Sequence, residues 1–385
     1  MRKNAAALAL VFVFLAASCI TTDKPVSGAA IVENSWVTKT PLQKAIGSIQ
    51  VAAANGKIYA ISGSANEEYD PATDTWTPKR PMPTSRNYFA VATHQNKIYV
   101  IGGQSGYIPA GDLRILTAVN EVYDPATDTW ETKTPLPTPR FYLSASTVND
   151  KIFLIGGLNN TDYNPPLSIL DLNEAYDPQA DTWSAKTPTP NPVYAYASAV
   201  LDGKIYLFGG GASESDLAQI YDAAADSWSY GQRMPDKTRS MAAAATTGGK
   251  APKRIYVVGG MIGFGNPLDS NRVYNPETDN WTVGASMITA RYGLGIAVID
   301  DLLYAVGGGY PSMEDIVINE RYTPIEYGTL QPPPDGSSTP EPQPEPFPIA
   351  MFVGSAAAAA VIGLGLLVYL KKRKPHTAMS AAIQA

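Results

Sequence analysis

Four arginines recur at the start of a predicted inner strand, and they are the side chains best suited to hold a ligand. They are Arg86, Arg140, Arg239 and Arg291. Tyr88 and Tyr142 follow the first two at a distance of two residues, which places them on the same side of a strand. Guanidinium groups bind carboxylates through paired hydrogen bonds, and tyrosine rings stack on sugars. Two interpretations are open: a site for carboxylates or sugars, or framework arginines that bond backbone carbonyl groups in each repeat.

Three further tyrosines lie in variable stretches that we predict on the same side of the molecule. They are Tyr107, Tyr163 and Tyr310. Their rings offer additional stacking surfaces to a sugar. The stretches at 104–119 and 158–172 are longer than their counterparts, and variable loops on a rigid scaffold commonly carry binding residues. The sequence therefore predicts one irregular loop face as the ligand-binding face.

Aspartates in the repeated phrase "YDPATDTW" suggest a second chemistry. Asp70 with Asp74, and Asp124 with Asp128, are closely spaced carboxylates of the kind that acid/base catalysis on glycosidic bonds uses. A catalytic pair is needed only once, however, whereas an aspartate that accepts backbone N–H bonds in a turn is needed in every repeat. We therefore expect these aspartates to be structural, and we predict no catalytic residue.

The same phrase indicates how the chain is built. Tryptophan recurs at intervals of roughly 40 to 54 residues, which is the signature of a β-propeller, at Trp36, Trp76, Trp130, Trp183, Trp228 and Trp281. Each unit reads apolar strand, glycine pair, variable stretch, Tyr-Asp-Pro turn and tryptophan. Glycine pairs such as Gly102 and Gly103 are expected where neighbouring repeats approach closely, and the tryptophans are expected to fill the space between repeats.

These motifs resemble the kelch repeat family over residues 31–326. Trp36 precedes the first complete unit, and Tyr322 ends the last unit without a tryptophan after it. We therefore predict an all-β, monomeric, six-bladed kelch-type β-propeller that is closed by an N-terminal strand in the last blade. The resemblance also implies that the loop face binds ligands, as it often does in kelch domains.

Kelch-like relatives with enzymatic activity provide two comparisons. Copper radical oxidases that resemble galactose oxidase need two histidine ligands and a cysteine linked to tyrosine. Here His94 lies in a predicted turn, His376 follows a predicted membrane helix and Cys19 precedes the propeller, so we expect no metal and no cofactor. Resemblance to exported sialic acid mutarotases leaves a cofactor-free reaction on a sugar as the enzymatic alternative. Its candidate groups are Arg239, Arg291, Glu314 and Asp112.

Both ends of the chain indicate export and anchoring. Residues 1–18 have the basic start, apolar run and small-residue end of a signal peptide, and the sequence before Cys19 loosely resembles a lipidation motif. Residues 349–370 are uncharged and, as a helix of about 33 Å, match a bilayer core of roughly 30 Å. The basic cluster at 371–374 predicts a cytoplasmic tail, 371–385, and leaves the propeller outside the cell. A sorting signal that is cleaved is the alternative to a permanent anchor.

Composition completes the prediction. Residues 327–348 are rich in proline and predict an extended stalk. All 35 acidic residues lie between 20 and 348, whereas six of the 29 basic residues flank the apolar ends, so this part has a net charge of −12. Such a charge argues against a nucleic-acid partner. The sequence predicts a non-enzymatic, membrane-anchored module that presents its loop face to a protein or glycan at the cell surface.

Overall fold

Six antiparallel four-stranded sheets make up the body of the protein. The computed structural model describes residues 32–44, 48–109, 113–161, 167–211, 215–263, 265–309 and 316–329. Within these ranges no helix is long and apolar enough to cross a bilayer. The predicted signal peptide, Cys19, the membrane helix and the cytoplasmic tail lie outside the described residues, as does most of the predicted stalk.

Each sheet is one blade, and its strands are given from the centre outwards. The first strand, β1 (Ser35–Lys39), belongs to the last blade. Blade 1 contains β2 (Gln50–Ala54), β3 (Lys57–Ser62), β4 (Ala65–Asp70) and β5 (Thr75–Pro78). Blade 2 contains β6 (Ala90–His94), β7 (Lys97–Ile101), an inserted hairpin of β8 (Gln104–Ile108) and β9 (Leu113–Leu116), then β10 (Asn120–Asp124) and β11 (Thr129–Lys133). Blade 3 contains β12 (Ser144–Val148), β13 (Lys151–Ile155), β14 (Asn173–Asp177) and β15 (Thr182–Ala185).

The remaining blades follow the same plan. Blade 4 contains β16 (Ala197–Leu201), β17 (Lys204–Phe208), β18 (Ala218–Asp222) and β19 (Ser227–Gly231). Blade 5 contains β20 (Ala242–Ala245), β21 (Ile255–Val258), an inserted hairpin of β22 (Met261–Ile262) and β23 (Asn266–Pro267), then β24 (Asn271–Asn275) and β25 (Asn280–Val283). Blade 6 contains β26 (Gly295–Ile299), β27 (Leu302–Val306) and β28 (Asn319–Thr323), with β1 as its outermost strand.

The ring closes as predicted. The innermost strands contact one another in the order β2, β6, β12, β16, β20 and β26, and β26 contacts β2. Strand β1 pairs antiparallel with β28, so that Trp36 lies opposite Tyr322. The prediction of an all-β propeller with six blades and an N-terminal closing strand is therefore confirmed. Closure leaves no exposed edge between the first and last blades.

Three side chains join each blade to the one before it. In blade 1, the Tyr69 hydroxyl donates to Asp74 Oδ1 at 2.6 Å, and the same oxygen accepts the backbone N–H of Thr40 at 2.9 Å. Trp76 Nε1 donates to the Thr40 carbonyl oxygen at 2.8 Å. Equivalent bonds recur in every blade, and in blade 6 Asn34 takes the place of the aspartate. The repeated aspartates are therefore turn residues that accept main-chain hydrogen bonds.

The glycine pairs lie where two blades touch. Gly156 has a φ of +59°, and a Cβ at this position would lie only 2.3 Å from the carbonyl oxygen of Val193 in the next blade. The following glycine, Gly157, donates its N–H to that same carbonyl at 2.8 Å. A residue without Cβ is thus required both for the backbone conformation and for the contact between blades.

Candidate functional site

Three of the four candidate arginines are buried inside their blades. The exposed fraction is 1% for Arg86 and 0% for Arg140 and Arg291. Each forms an ion pair with a glutamate on the third strand of its own blade, in the pairs Arg86–Glu121, Arg140–Glu174 and Arg291–Glu320. Each also donates from Nη2 to a carbonyl oxygen of the second strand, at 2.8 Å to Val100, 3.1 Å to Leu154 and 3.0 Å to Ala305. These guanidinium groups occupy the positions that the framework interpretation requires.

In blades 2 to 6 the charges at these two positions change together. Burial lowers the pKa of Arg140, while its contact with Glu174 raises it. In blade 4 both partners are uncharged, because Val193 takes the place of the arginine and Gln219 that of the glutamate. In blade 5 the third strand carries Arg272, which pairs with Asp236 through bonds of 2.6 and 2.7 Å. In blades 2 to 6 the buried charge is accordingly balanced within its own blade. Blade 1 differs: Glu67 is 5% exposed and accepts the N–H of Gln43 at 3.3 Å, with no ion pair to it among the described residues.

Arg239 does not share the position of the other three arginines. Thr238 is the residue equivalent to Arg86, because Ser240 is equivalent to Tyr88, and Arg239 therefore stands one residue later. Its side chain is half-buried and donates from Nη2 to the Gly263 carbonyl oxygen at 3.2 Å. The expectation that all four arginines occupy equivalent positions is wrong for blade 5. The number of residues between a position and the following inner strand decides which residue enters the blade, and Arg239 is one residue closer to its strand than the other three arginines are to theirs.

Tyr88 and Tyr142 are brought together by the fold. Their ring centroids lie 4.3 Å apart with an angle of 40° between the planes. Phe141 and Tyr194 extend this aromatic cluster, with centroids 4.9 and 6.2 Å from the Tyr142 ring. Both residues escaped the sequence interpretation. The signal that could have found them is their place immediately before an inner strand, which becomes visible only when the six units are aligned from that strand.

Arg114 was also missed. It lies on β9, is 4% exposed, and its guanidinium carbon stands 4.8 Å from the centroid of the Phe141 ring. It links the inserted hairpin of blade 2 to the aromatic cluster. Among the tyrosines predicted in loops, Tyr107 lies on β8 and is 48% exposed, while Tyr163 and Tyr310 fall outside the described residues.

A funnel of about 590 Å³ opens at the starts of the six inner strands. The residues at its narrow ring all have left-handed backbone conformations with φ between 50 and 61°: Ser48, Tyr88, Tyr142, Ala195, Ser240 and Gly293. Four backbone hydrogen bonds of 2.8 to 3.1 Å run from blade to blade along this ring. The same loops pair with the segments after the second strands, for example Phe141 with Leu158. The irregular face and the funnel are thus one surface.

The described lining of the funnel is uneven in chemistry and carries no charged side chain. Tyr88 and Tyr142 form one wall, and Gly293, Gly308 and Gly309 lie on the other side. Among the described residues that line the funnel, no side chain is ionisable at neutral pH. Across the described ranges, no group of three or more histidine, cysteine, aspartate or glutamate side chains could hold a metal ion.

The inserted hairpin β8–β9 presents apolar side chains to solvent beside this funnel. Tyr107, Ile108, Leu113 and Ile115 are 37 to 48% exposed. The hairpin is tied to its neighbours through backbone bonds from Gln104 to Asn87 and from Arg114 to Thr161. Exposed apolar residues are unremarkable when scattered, but Ile108, Leu113 and Ile115 share one face of this hairpin and form a small apolar patch, whereas Tyr107 lies on the other face with Arg114.

Comparison with known proteins places this fold in a family context. The chain matches the family model described as the KLHDC2/KLHL20/DRC7 Kelch-repeats domain over residues 117–308 and the model of the Kelch motif over residues 85–137. It is 27% identical over 206 residues to Kelch-like protein 15 of Danio rerio, and the match covers 48% of this chain and 33% of that protein. It is 29% identical over 184 residues to Kelch-like protein 35 of Mus musculus, and the match covers 46% of this chain and 29% of that protein.

The chain spans about a third of the length of these curated relatives. Among solved structures, the structure of YjhT superposes with a TM-score of 0.63 at 16% identity and covers 73% of this chain and 95% of that chain. At this identity the likeness is one of fold alone.

Proposed function

Because this chain is a kelch-repeat protein, we propose that it is a non-enzymatic binding module that holds a protein partner on its irregular face. Kelch propellers generally bind proteins. The present propeller exposes apolar side chains on the β8–β9 hairpin of this face, which supports the same role. We further propose that the module is anchored by residues 349–370 and displayed outside the cell, on the strength of the apolar segments at both ends of the sequence.

The observation that carries the proposal is the difference between the two faces. One face consists of near-identical Tyr-Asp-Trp turns, which are occupied in joining the blades. The other has connections of unequal length, and its β8–β9 hairpin exposes Ile108, Leu113 and Ile115. Since apolar side chains at the centre of an interface contribute most of its stability, this hairpin is the expected contact with an apolar patch on the partner.

The experiment compares three forms of the full-length chain in the cells that produce it. Surface cross-linking followed by mass spectrometry would measure which proteins are captured by the unchanged chain, by an Ile108→Ser, Ile115→Ser variant, and by a control. The control is Tyr230→Ser with Val283→Ser, which removes two exposed side chains from outer strands of blades 4 and 5. The proposal expects a partner that the control retains and the hairpin variant loses. Equal capture by all three forms would refute it.

Anchoring is tested separately. Protease added to intact cells should remove the propeller while leaving a fragment that contains the C-terminal tail, because the tail is expected on the cytoplasmic side. Protection of the propeller in intact cells would contradict the proposed orientation.

A cofactor-free reaction on a sugar is the alternative function. Two of its candidate groups, Glu314 and Asp112, fall outside the described residues. Arg291 is buried, with its Nη1 3.0 Å from Glu320 Oε1, and Arg239 donates to the Gly263 carbonyl oxygen. The likeness to the structure of YjhT concerns the fold and leaves this alternative open. Anomerisation of free sialic acid by the purified chain, above the rate in buffer, would favour the enzyme over the binding module.

A further inference from the structure

We propose that the funnel at the centre of the irregular face is a second binding site, and that its ligand is a neutral sugar ring stacked on Tyr88 and Tyr142. This site is separate from the β8–β9 hairpin and does not depend on a protein partner. Three independent observations carry it: the choice of tyrosine at two left-handed positions of the ring, the absence of charge in the described lining, and the mixture of aromatic and hydroxyl groups around the cavity.

The left-handed backbone at this point of the ring is shared by all six blades, so the choice of tyrosine, and not the conformation alone, sets Tyr88 and Tyr142 apart from the framework. Tyr88 has a φ of 56° and Tyr142 a φ of 54°, a region that bulky side chains rarely adopt. The other blades place small residues at the same point in the ring, such as Ser240 and Gly293. The ring can therefore be built without an aromatic residue. Strained residues of this kind concentrate at ligand sites, where the side chain is needed for its chemistry.

The charge of the lining selects the ligand class. No described residue that lines the funnel is ionisable at neutral pH, and Arg86, Arg140 and Arg291, each two residues before a residue of the ring, are paired with buried glutamates. Arg239, next to Ser240 of the ring, donates to the Gly263 carbonyl oxygen, and Arg114 lies against the Phe141 ring; neither is among the described residues that line the funnel. The parts of the loops that the structure does not describe between residues 45 and 315 contain, by sequence, no lysine or arginine. An anionic sugar would lose its hydration in such a funnel without gaining a counter-charge. A neutral ligand avoids that loss.

The remaining groups match the surface of a sugar ring. One wall presents the paired rings of Tyr88 and Tyr142, which complement the apolar face of a pyranose. Hydroxyl and amide groups of Gln50, Ser240 and Tyr292 line other parts of the funnel and complement its hydroxyls. The volume of about 590 Å³ falls within the range of small-molecule sites, which are roughly 300 to 1,000 Å³.

The test uses the full-length chain purified in a detergent without a sugar headgroup. The probes are methyl glucoside, methyl galactoside, methyl mannoside, N-acetylglucosamine and their neutral oligosaccharides, with sialic acid and glucuronic acid as anionic probes. Saturation-transfer NMR and calorimetry would measure binding. We expect at least one neutral probe to bind, and we expect both acids to bind at least tenfold more weakly than it does.

A variant with Tyr88→Ser and Tyr142→Gly carries the residues that other blades have at the same positions, so the ring of left-handed backbone is preserved. Its affinity for the neutral probe should fall about tenfold or more, while its melting temperature verifies folding. Tyr230→Ser, which removes an exposed tyrosine from the outer strand β19 of blade 4, is the matched control and should keep the affinity. Absence of binding by every neutral probe, preference for an acid, or unchanged affinity in the double variant would overturn the inference. None of these results would affect protein capture through the hairpin.

Discussion

Trp36 and Tyr322 face each other across the joint between the two ends of the propeller, with ring centroids 5.0 Å apart. Trp36 Nε1 also donates to the Ala285 carbonyl oxygen of blade 5 at 2.8 Å, and the Tyr322 hydroxyl donates to Asn34 Oδ1 at 2.7 Å. This single contact region therefore joins the first strand of the chain to the last strand and to the neighbouring blade. The ring depends on it because every other blade is held by a continuous stretch of sequence.

Replacing Trp36 by alanine should lower the free energy of unfolding by about 3 to 5 kcal/mol, because the side chain is 8% exposed and its removal deletes the contact with Tyr322 and the hydrogen bond to Ala285. Denaturant unfolding of the purified protein measures the change. Val37→Ala, on the same strand but 39% exposed, is the control and should have a much smaller effect. Equal stability of the Trp36 variant and the unchanged protein would contradict the role of β1 in closure.

Replacing Arg140 by valine should destabilise the protein by roughly 3 to 5 kcal/mol, since Glu174 would be left buried without its partner. Adding Glu174→Gln reproduces the combination of Val193 and Gln219 that blade 4 already contains, and most of the loss should be recovered. Unfolding experiments on both variants measure this. If the double variant is no more stable than Arg140→Val alone, the unpaired charge of Glu174 is not the cause of the loss, and the proposed compensation between Arg140 and Glu174 is wrong.

The same double variant tests the ligand-binding interpretation of the arginines. We expect this double variant to keep the fold. If a protein partner or a sugar binds through the Arg140 guanidinium, the variant should lose that binding. We expect instead that binding is unchanged, because the guanidinium is buried against Glu174. Replacing Arg86, Arg140 and Arg291 together by alanine would not separate a loss of binding from a loss of stability, because it would leave three buried glutamates without their partners.

Acid should weaken the joints between blades. Burial by itself raises the pKa of Asp74, but hydrogen bonds from Tyr69 and Thr40 and the charge of Lys39 together lower it to about 2, from an ordinary value of 3.8. A carboxylate whose pKa is depressed by folding stabilises the protein above its unfolded pKa, and that contribution is lost as the pH falls through its folded pKa. Stability should therefore decline between about pH 4 and pH 2.

Asp74→Asn should make the melting temperature depend less on pH over this interval, because asparagine accepts the same bonds without titrating. Asn34 already serves in this way in blade 6, where burial raises the pKa of its partner Tyr322 to about 12. Melting curves from pH 2 to pH 7 measure the effect, with Asp150→Asn as an exposed control. An unchanged slope in the Asp74 variant would contradict the assignment.

Gly156→Ala should be much more damaging than Gly203→Ala, although both positions have a left-handed backbone. The added Cβ at Gly156 would lie 2.3 Å from the Val193 carbonyl oxygen, whereas at Gly203 nothing lies within 4 Å. The second change should cost only the conformational strain, about 1 to 2 kcal/mol. Thermal unfolding of the two variants distinguishes contact from strain, and equal losses would refute the requirement for close approach of the blades at Gly156.

The repeat made most of the fold predictable. Tryptophan, tyrosine, the turn aspartate and the glycine pair each perform one local task in every blade, so their spacing predicted the strands, the blade number and the closing strand around Trp36. The Arg239 register was not predictable in the same way. Its identity matched the other arginines, but the chain reaches β20 one residue sooner, and only pairing with the neighbouring strands fixes which residue enters the blade.

By itself, then, the sequence determined the architecture, because sheet formation and turn chemistry depend on residues that are close along the chain. Tertiary structure alone decided what the candidate site contains. It placed Arg86 and Arg140 inside their blades, against glutamates more than thirty residues away, and it brought Tyr88 and Tyr142 together across a blade boundary. Whether an arginine meets a ligand or a buried carboxylate depends on such long-range neighbours, and no local pattern records them.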